Sequence, residues 1–167
     1  MIRSLFTLFL TGLLIAPTAQ AEGNYAGTFL GQVMVEEIDA EPINLGLLLG
    51  TSIGAGFGAE FLFSTTIDED EVGGLDWSTS TYVALATYTL GGDLYLRGKV
   101  GYGLINLKAE AGSARDDEDE SDFVYGVGGG IKFGSHGVEL NYLVLPEFED
   151  LGDLETDMVS IGYNYNF

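Results

Sequence analysis

From residue 24 onward the chain alternates apolar and polar residues with a period of two, and the alternation breaks at regular intervals. In the stretch that starts at Leu94, one row is Leu94, Leu96, Gly98, Val100, Tyr102 and Leu104, and the other is Tyr95, Arg97, Lys99, Gly101 and Gly103. Successive side chains of an extended strand point to opposite faces, so two such rows are the two faces of one strand. The same separation sets Phe57, Ala59, Phe61 and Phe63 against Gly58, Glu60, Leu62 and Ser64. It sets Val138, Leu140, Tyr142 and Val144 against Glu139, Asn141 and Leu143, and Val159, Ile161, Tyr163, Tyr165 and Phe167 against Ser160, Gly162, Asn164 and Asn166. The pattern predicts eight strands, at about 24–35, 43–50, 55–66, 78–90, 94–109, 122–134, 137–147 and 156–167. Each is long enough to cross a bilayer when tilted, provided the second runs on slightly at its ends.

The connections take turns in kind. Glu36 to Pro42, Thr66 to Trp77, Glu110 to Asp122 and Pro146 to Asp157 are long, whereas Thr51-Ser52-Ile53-Gly54, Gly91-Gly92-Asp93 and Gly134-Ser135-His136-Gly137 are short and glycine-rich. Long loops at one end and tight turns at the other are the wiring of an antiparallel up-and-down barrel whose termini share the turn end. Charge follows the same division. The net charge is −20, yet 46% of residues are apolar, and the two reconcile because 22 of the 26 Asp and Glu lie in the long connections. So acidic a chain would repel nucleic acid phosphates.

Alternation fixes which face is continuous but not which way it points. A soluble barrel turns the apolar face inward; a membrane barrel turns it toward lipid and keeps a polar interior. Aromatic residues favour the inverted arrangement. Tyr25, Phe57, Phe133, Tyr165 and Phe167 fall at the turn end of the strands, and Phe63, Trp77, Phe123 and Phe148 at the loop end, as two interfacial girdles would. The opposite face carries few charges in near balance, Glu60 and Glu139 against Arg97, Lys99 and Lys132, unlike a water-facing surface of so acidic a chain. On the alternative register Arg97 and Lys99 would face lipid near mid-membrane, which costs about 2–4 kcal/mol each.

The N-terminus fits an exported protein. Arg3 precedes the apolar run Leu5 to Ala16, and Pro17 precedes the small-residue ending Ala19-Gln20-Ala21, the order of a secretory signal peptide cleaved after Ala21. The apolar run is too short for a spanning helix, which weighs against a retained anchor. Residues 22–167 are then one barrel domain. The chain has no cysteine, so disulfides, lipid attachment to an N-terminal cysteine and thiolate metal sites are excluded.

With its signal peptide, its alternation of loops and turns, and its ending Ser160-Ile161-Gly162-Tyr163-Asn164-Tyr165-Asn166-Phe167, the chain resembles the small eight-stranded outer-membrane β-barrels of the OmpA/OmpX type, a porin-like class. The resemblance covers residues 22–167. It implies that Tyr163, Tyr165 and Phe167 form the assembly signal read by the barrel-insertion machinery. It places the barrel in the bacterial outer membrane with loops extracellular and both termini periplasmic, among outer-membrane lipid and lipopolysaccharide. The ending at Phe167 is expected to leave no room for the peptidoglycan-binding domain of longer members.

Two groups of residues are candidates for chemistry. The first is the inward set Glu60, Arg97, Lys99, Lys132 and Glu139, expected to form a charge network inside a barrel just wide enough for side chains to fill. Gly126, Gly128 and Gly130 would leave room for the long Arg and Lys side chains. The alternative is a gate or an ion-conducting path. The second group is the acidic loops Asp68-Glu69-Asp70-Glu71 and Asp116-Asp117-Glu118-Asp119-Glu120, which could attract divalent cations. They lack the spaced pattern of a committed calcium loop, so no specific metal site and no cofactor are expected. His136, the one histidine, falls in a predicted turn, and Ser78, Ser80 and Ser121 have no catalytic partner in view, so no enzyme is expected.

These features support a non-enzymatic outer-membrane barrel with a filled lumen, contributing to membrane integrity or surface interaction. Leu48, Leu62, Leu143 and Leu145 on the inner face argue for a plug. A narrow cation-favouring channel is the alternative, and a soluble lipocalin-like ligand-binding barrel with the faces swapped is a third reading.

Overall fold

A computed structural model describes residues 23–35, 40–111, 114–148 and 154–167, with residues 111 and 114–116 described by backbone alone. The segment read as a signal peptide, residues 1–21, lies outside the described residues. Among the described residues there are nine strands: β1 (Gly23–Val35), β2 (Ile43–Gly54), β3 (Phe57–Asp68), β4 (Asp70–Val72), β5 (Leu75–Gly91), β6 (Leu94–Ala111), β7 (Ala114–Phe133), β8 (His136–Val144) and β9 (Thr156–Asn166). All neighbours are antiparallel, in the order β3-β2-β1-β9-β8-β7-β6-β5, and pairing of β3 with β5 from Phe57↔Tyr88 to Thr65↔Ser80 closes the ring. Eight strands therefore make the barrel. The ninth, β4, is a three-residue strand that pairs with β5 beyond it.

The direction of the faces is settled by exposure. Leu94 is 74% exposed, Leu96 68% and Phe123 68%, while Arg97, Lys99, Glu60 and Glu139 are buried. An apolar surface this continuous is a membrane surface, which overturns the lipocalin-like arrangement. On β6 the apolar outer row runs from Leu94 to Leu104, roughly 34 Å along a strand at about 3.4 Å per residue. A tilt of about 35–45° projects this to roughly 25 Å, the height of the lipid-facing band.

Several strands continue past that band. β6 and β7 stay in register from Leu94↔Ile131 to Ala111↔Ala114, so residues 105–111 and 114–122 form an extended hairpin above the aromatic pair Tyr102 and Phe123. The connections read as long loops are therefore partly strand. Asp116 to Glu120 lie within β7, Asp68 ends β3, and Asp70 and Glu71 lie in β4, with only Glu69 between them. Aspartate is a poor strand former, but cross-strand partners hold it here: Lys108 stands opposite Asp117, and Asn106 donates to Asp119 at 2.5 Å.

The turns also differ in detail from the sequence reading. The first lies at Ala55-Gly56, both at positive φ (54° and 84°), a two-residue hairpin turn whose twist suits the flanking strands. Thr51 to Gly54 belong to β2, because their alternation continues that of the strand. His136 opens β8, with its ring among those of Phe133, Tyr163 and Tyr165. Two girdle assignments change sides. Tyr25 is 7% exposed and points into the lumen, and Phe148 is 1% exposed and packs in the core. Trp77 is half-buried against that core. On the outer face, Phe57 and Tyr88 pair toward the turns, and Phe63 and Tyr82 pair toward the loops, each at 4.9 Å between ring centres.

Candidate functional site

Alternation carries the inward residues of each strand to the barrel axis, and there the structure brings together four charges from three strands. Lys99 on β6 donates to Glu60 on β3 at 2.8 Å and to Glu139 on β8 at 2.7 Å. Arg97, one inward step nearer the turns on β6, pairs with Glu60 and lies 3.1 Å from Glu139. Both carboxylates thus bridge the same two cations, and the closed square is electrically neutral. Its members are almost wholly shielded from water, where an unmatched charge would be strongly unfavourable and a matched, hydrogen-bonded set is tolerated.

Two tyrosines complete the cluster, and alternation alone did not single them out. Tyr25 on β1 donates to Glu60 at 2.7 Å, and Tyr95 on β6 donates to Glu139 at 2.6 Å. The Arg97 guanidinium lies over both rings, 5.3 Å from the centre of Tyr25 and 5.1 Å from that of Tyr95, and its Nε donates to Thr89 on β5 at 3.0 Å. The alternation put Tyr95 on the row of Arg97 and Lys99, whereas Tyr25, an aromatic near a strand end, was read as girdle. The fifth predicted member, Lys132, stands apart. Its ammonium lies 5.1 Å from the centre of the Tyr95 ring, on the turn side of the cluster, and forms no ion pair among the described residues.

Glycine shapes the site differently from expectation. A Cβ at Gly130 would come within 2.5 Å of the Tyr95 hydroxyl, and one at Gly128 within 2.9 Å of Glu139 and 2.6 Å of Asn141. The nearest groups that the bare backbone of β7 makes room for are thus Tyr95 and the β8 side chains. On the opposite wall Gly50 and Gly46 hold the rings of Tyr25 and Phe29 against β2.

Above the cluster the lumen becomes apolar. Leu48, Leu62, Val83, Leu85, Val124 and Leu143 are buried across it, and beyond them Val33, Val35, Ile105, Leu107, Leu145, Phe148 and Met158 continue the core toward the loops. One polar patch lies within this half: Asn44 donates to Thr79 at 2.9 Å, Ser64 and Thr81 share a hydrogen bond of 2.6 Å, and Thr66 donates to Asn44 at 2.8 Å. Below the cluster a cavity of about 370 Å³ opens at the turn end. In the acidic segments, no three acidic or histidine side chains are grouped as metal ligands would be among the described residues. Tyr163, Tyr165 and Phe167 are exposed on the outer face, and His136 Nδ1 lies 2.5 Å from the Tyr163 hydroxyl.

The family model described as outer membrane protein beta-barrel domain matches residues 5–167. Comparison with curated proteins gives no match. Among solved structures, the barrel is similar to Ail, the attachment invasion locus protein of Yersinia pestis, with 17% identity and a TM-score of 0.61 over 87% of this chain and 97% of that one. It is similar to the N-terminal β-barrel domain of Pseudomonas aeruginosa OprF, with 13% identity and a TM-score of 0.65 over 87% and 99%. It is also similar to Neisserial surface protein A, with 10% identity and a TM-score of 0.62 over 87% and 96%. At such identities the likeness is one of fold.

Proposed function

Since the chain belongs to the outer membrane protein β-barrel family, we propose that it is a non-enzymatic integral protein of the bacterial outer membrane that acts at the cell surface through its acidic hairpin. On this reading the signal peptide is removed after Ala21, the turns and termini face the periplasm, and the long connections face outward into the lipopolysaccharide layer. The observation that carries it is the edge of β7. This strand pairs with β6 as far as Ala114, but its pairing with β8 begins only at Tyr125. Residues 114–124 therefore present one edge with no strand partner among the described residues. Such an edge is a template for an added strand. Here it carries Asp116, Asp117, Glu118, Asp119, Glu120 and Asp122, so it selects a basic extended segment over an acidic one. Divalent cations and the lipopolysaccharide they bridge would condense on the same surface.

The lumen is read as a structural plug. The neutral ion square and the apolar layer of Leu48, Leu62, Val83 and Leu143 support this over the cation channel, because a hydrated ion would have to cross both. The experiment uses the mature barrel in nanodiscs of zwitterionic lipid. A lysine-rich peptide should bind with strong salt dependence, and its glutamate counterpart should not. Changing residues 116–120 to Asn and Gln should abolish that binding; unchanged binding would overturn the hairpin reading. Reproducible single-channel steps from the same protein in planar bilayers would overturn the plug and favour the channel.

A further inference from the structure

We propose that the cavity at the turn end of the lumen is a binding site for a small phosphorylated anion. The cavity is walled by the closed ring of strands, and its inner end is the cluster of Arg97, Tyr25 and Tyr95. At about 370 Å³ it lies at the small end of the range for small-molecule sites. Its wall offers the hydroxyls of Thr51, Thr87 and Thr89, the amide of Asn164, and the cations of Arg97 and Lys132. The chain has 26 acidic and six basic residues, yet among the described residues that line this cavity two are basic and none is acidic. Such a lining suits an oxyanion that also carries hydroxyls.

The two cations are not equivalent. Arg97 is fixed between the Tyr25 and Tyr95 rings and its charge is matched by Glu60 and Glu139 behind it. Lys132 also lines the cavity, with its ammonium 5.1 Å from the centre of the Tyr95 ring, and has no ion-pair partner among the described residues. The net local charge that would attract an anion is therefore that of Lys132, with Arg97 and the hydroxyls supplying directional donors. The field of the whole molecule acts in the same sense. Most of the carboxylates lie at the loop end, so an anion is repelled there and finds the turn end the less negative approach.

A phosphate ester could come from a soluble metabolite or from a phospholipid headgroup reaching over the mouth, and the test separates them. Isotope-labelled mature protein is folded in maltoside micelles free of phosphate, and glycerol 3-phosphate is titrated while backbone amide shifts are followed. The expected result is saturable shifts at Thr51, Thr87 and Asn164, weakened at least tenfold by Lys132→Gln, retained by Lys132→Arg and unchanged by Lys108→Gln on the distant hairpin. A parallel series in phosphatidylcholine nanodiscs, with and without phosphatidylglycerol, reads the headgroup source: the same shifts appearing only with the anionic lipid assign the site to that source. Heat-modifiable gel mobility establishes that each variant is folded. No saturable shift in either series, or shifts that Lys132→Gln leaves intact, would overturn the proposal.

Discussion

Toward the turns, the inward positions of β6 are Tyr95, Arg97 and Lys99; toward the loops the same row continues as Gly101, Gly103, Ile105 and Leu107. The outward row changes in the opposite sense, from Leu94, Leu96, Val100, Tyr102 and Leu104 to Asn106 and Lys108. The phase of the alternation never slips, but its polarity exchanges near Tyr102. Within the membrane band the outer face is apolar throughout. The lumen there is charged toward the turns but already apolar at Leu48, Val83 and Leu143, whose strand neighbours Leu47, Tyr82 and Tyr142 face outward. Above the band, where water replaces lipid, the same strands build an ordinary protein core with apolar residues in and charges out. The inward rows of β8 and β9 also turn apolar, from Glu139 and Asn141 to Leu143, and from Asn164 and Ser160 to Met158, while Leu140 and Tyr142 keep the outer face of β8 apolar. One lumen is thus filled in two ways, by matched charge in one half and by close-packed hydrocarbon in the other.

If the charged half is held by electrical matching, removing one charge should do more harm than removing any one apolar side chain of the other half. Glu60→Ala would leave Lys99 and Arg97 sharing a single carboxylate and would strip Tyr25 of its acceptor. Breaking a buried pair in this way costs about 3–5 kcal/mol. The expected outcome is a midpoint of urea unfolding well below that of the parent in the same micelles. Joint replacement of Glu60 and Lys99 by methionine should recover much of the loss. If Glu60→Ala unfolds at the parental midpoint, the square contributes nothing and the comparison fails.

The apolar half is probed by Leu143→Ala. This side chain is fully buried above the ion square, and truncation should cost about 2–5 kcal/mol, depending on how far the neighbours relax. The two losses should differ in kind. That of Glu60→Ala should shrink at a pH low enough to protonate the carboxylates, and that of Leu143→Ala should not. Equal responses to pH would show that the halves are not held differently.

Much of this division can be traced back to the sequence, and the part that was not has a physical reason. Period-two rows placed Glu60, Arg97, Lys99 and Glu139 on one face, because a strand permits only two directions. They could not show that the face changes its role along the strand, since that depends on where lipid ends. Phe148 was accordingly read as girdle, although it lies past the membrane band, where an aromatic belongs inside. The acidic run at 116–120 was read as loop because aspartate disfavours strands in isolation; the register inherited from below and the cross-strand partners Lys108 and Asn106 override that preference. Tyr25 could not be told from an interfacial aromatic without knowing that Gly50 stands opposite to receive its ring.

A smaller effect is expected within the apolar half itself, at its polar patch. Asn44→Ala removes a donor and an acceptor from Thr79 and Thr66 while leaving their hydroxyls buried. An unsatisfied buried polar group costs about 1–3 kcal/mol, so the unfolding midpoint should fall by less than for Leu143→Ala. A loss equal to that of Glu60→Ala would mean that polar matching governs both halves.

The most local test compares two glycines on opposite sides of the barrel wall. A Cβ at Gly50 would sit 2.2 Å from the Tyr25 ring, whereas one at Gly98, on the lipid face, meets nothing within 4 Å. Gly50→Ala must therefore push Tyr25 away from Glu60 and Arg97, an overpacking cost of about 1–3 kcal/mol that is passed on to the ion square. Gly98→Ala should be neutral or stabilising by up to roughly 1 kcal/mol, because alanine loses less backbone freedom on folding. The lumen half of this pair has a further signature: the Tyr25 ring resonances should shift in Gly50→Ala and stay in place in Gly98→Ala. If both variants unfold together and neither moves Tyr25, the ring is not wedged against β2, and the charged half is looser than its hydrogen bonds imply.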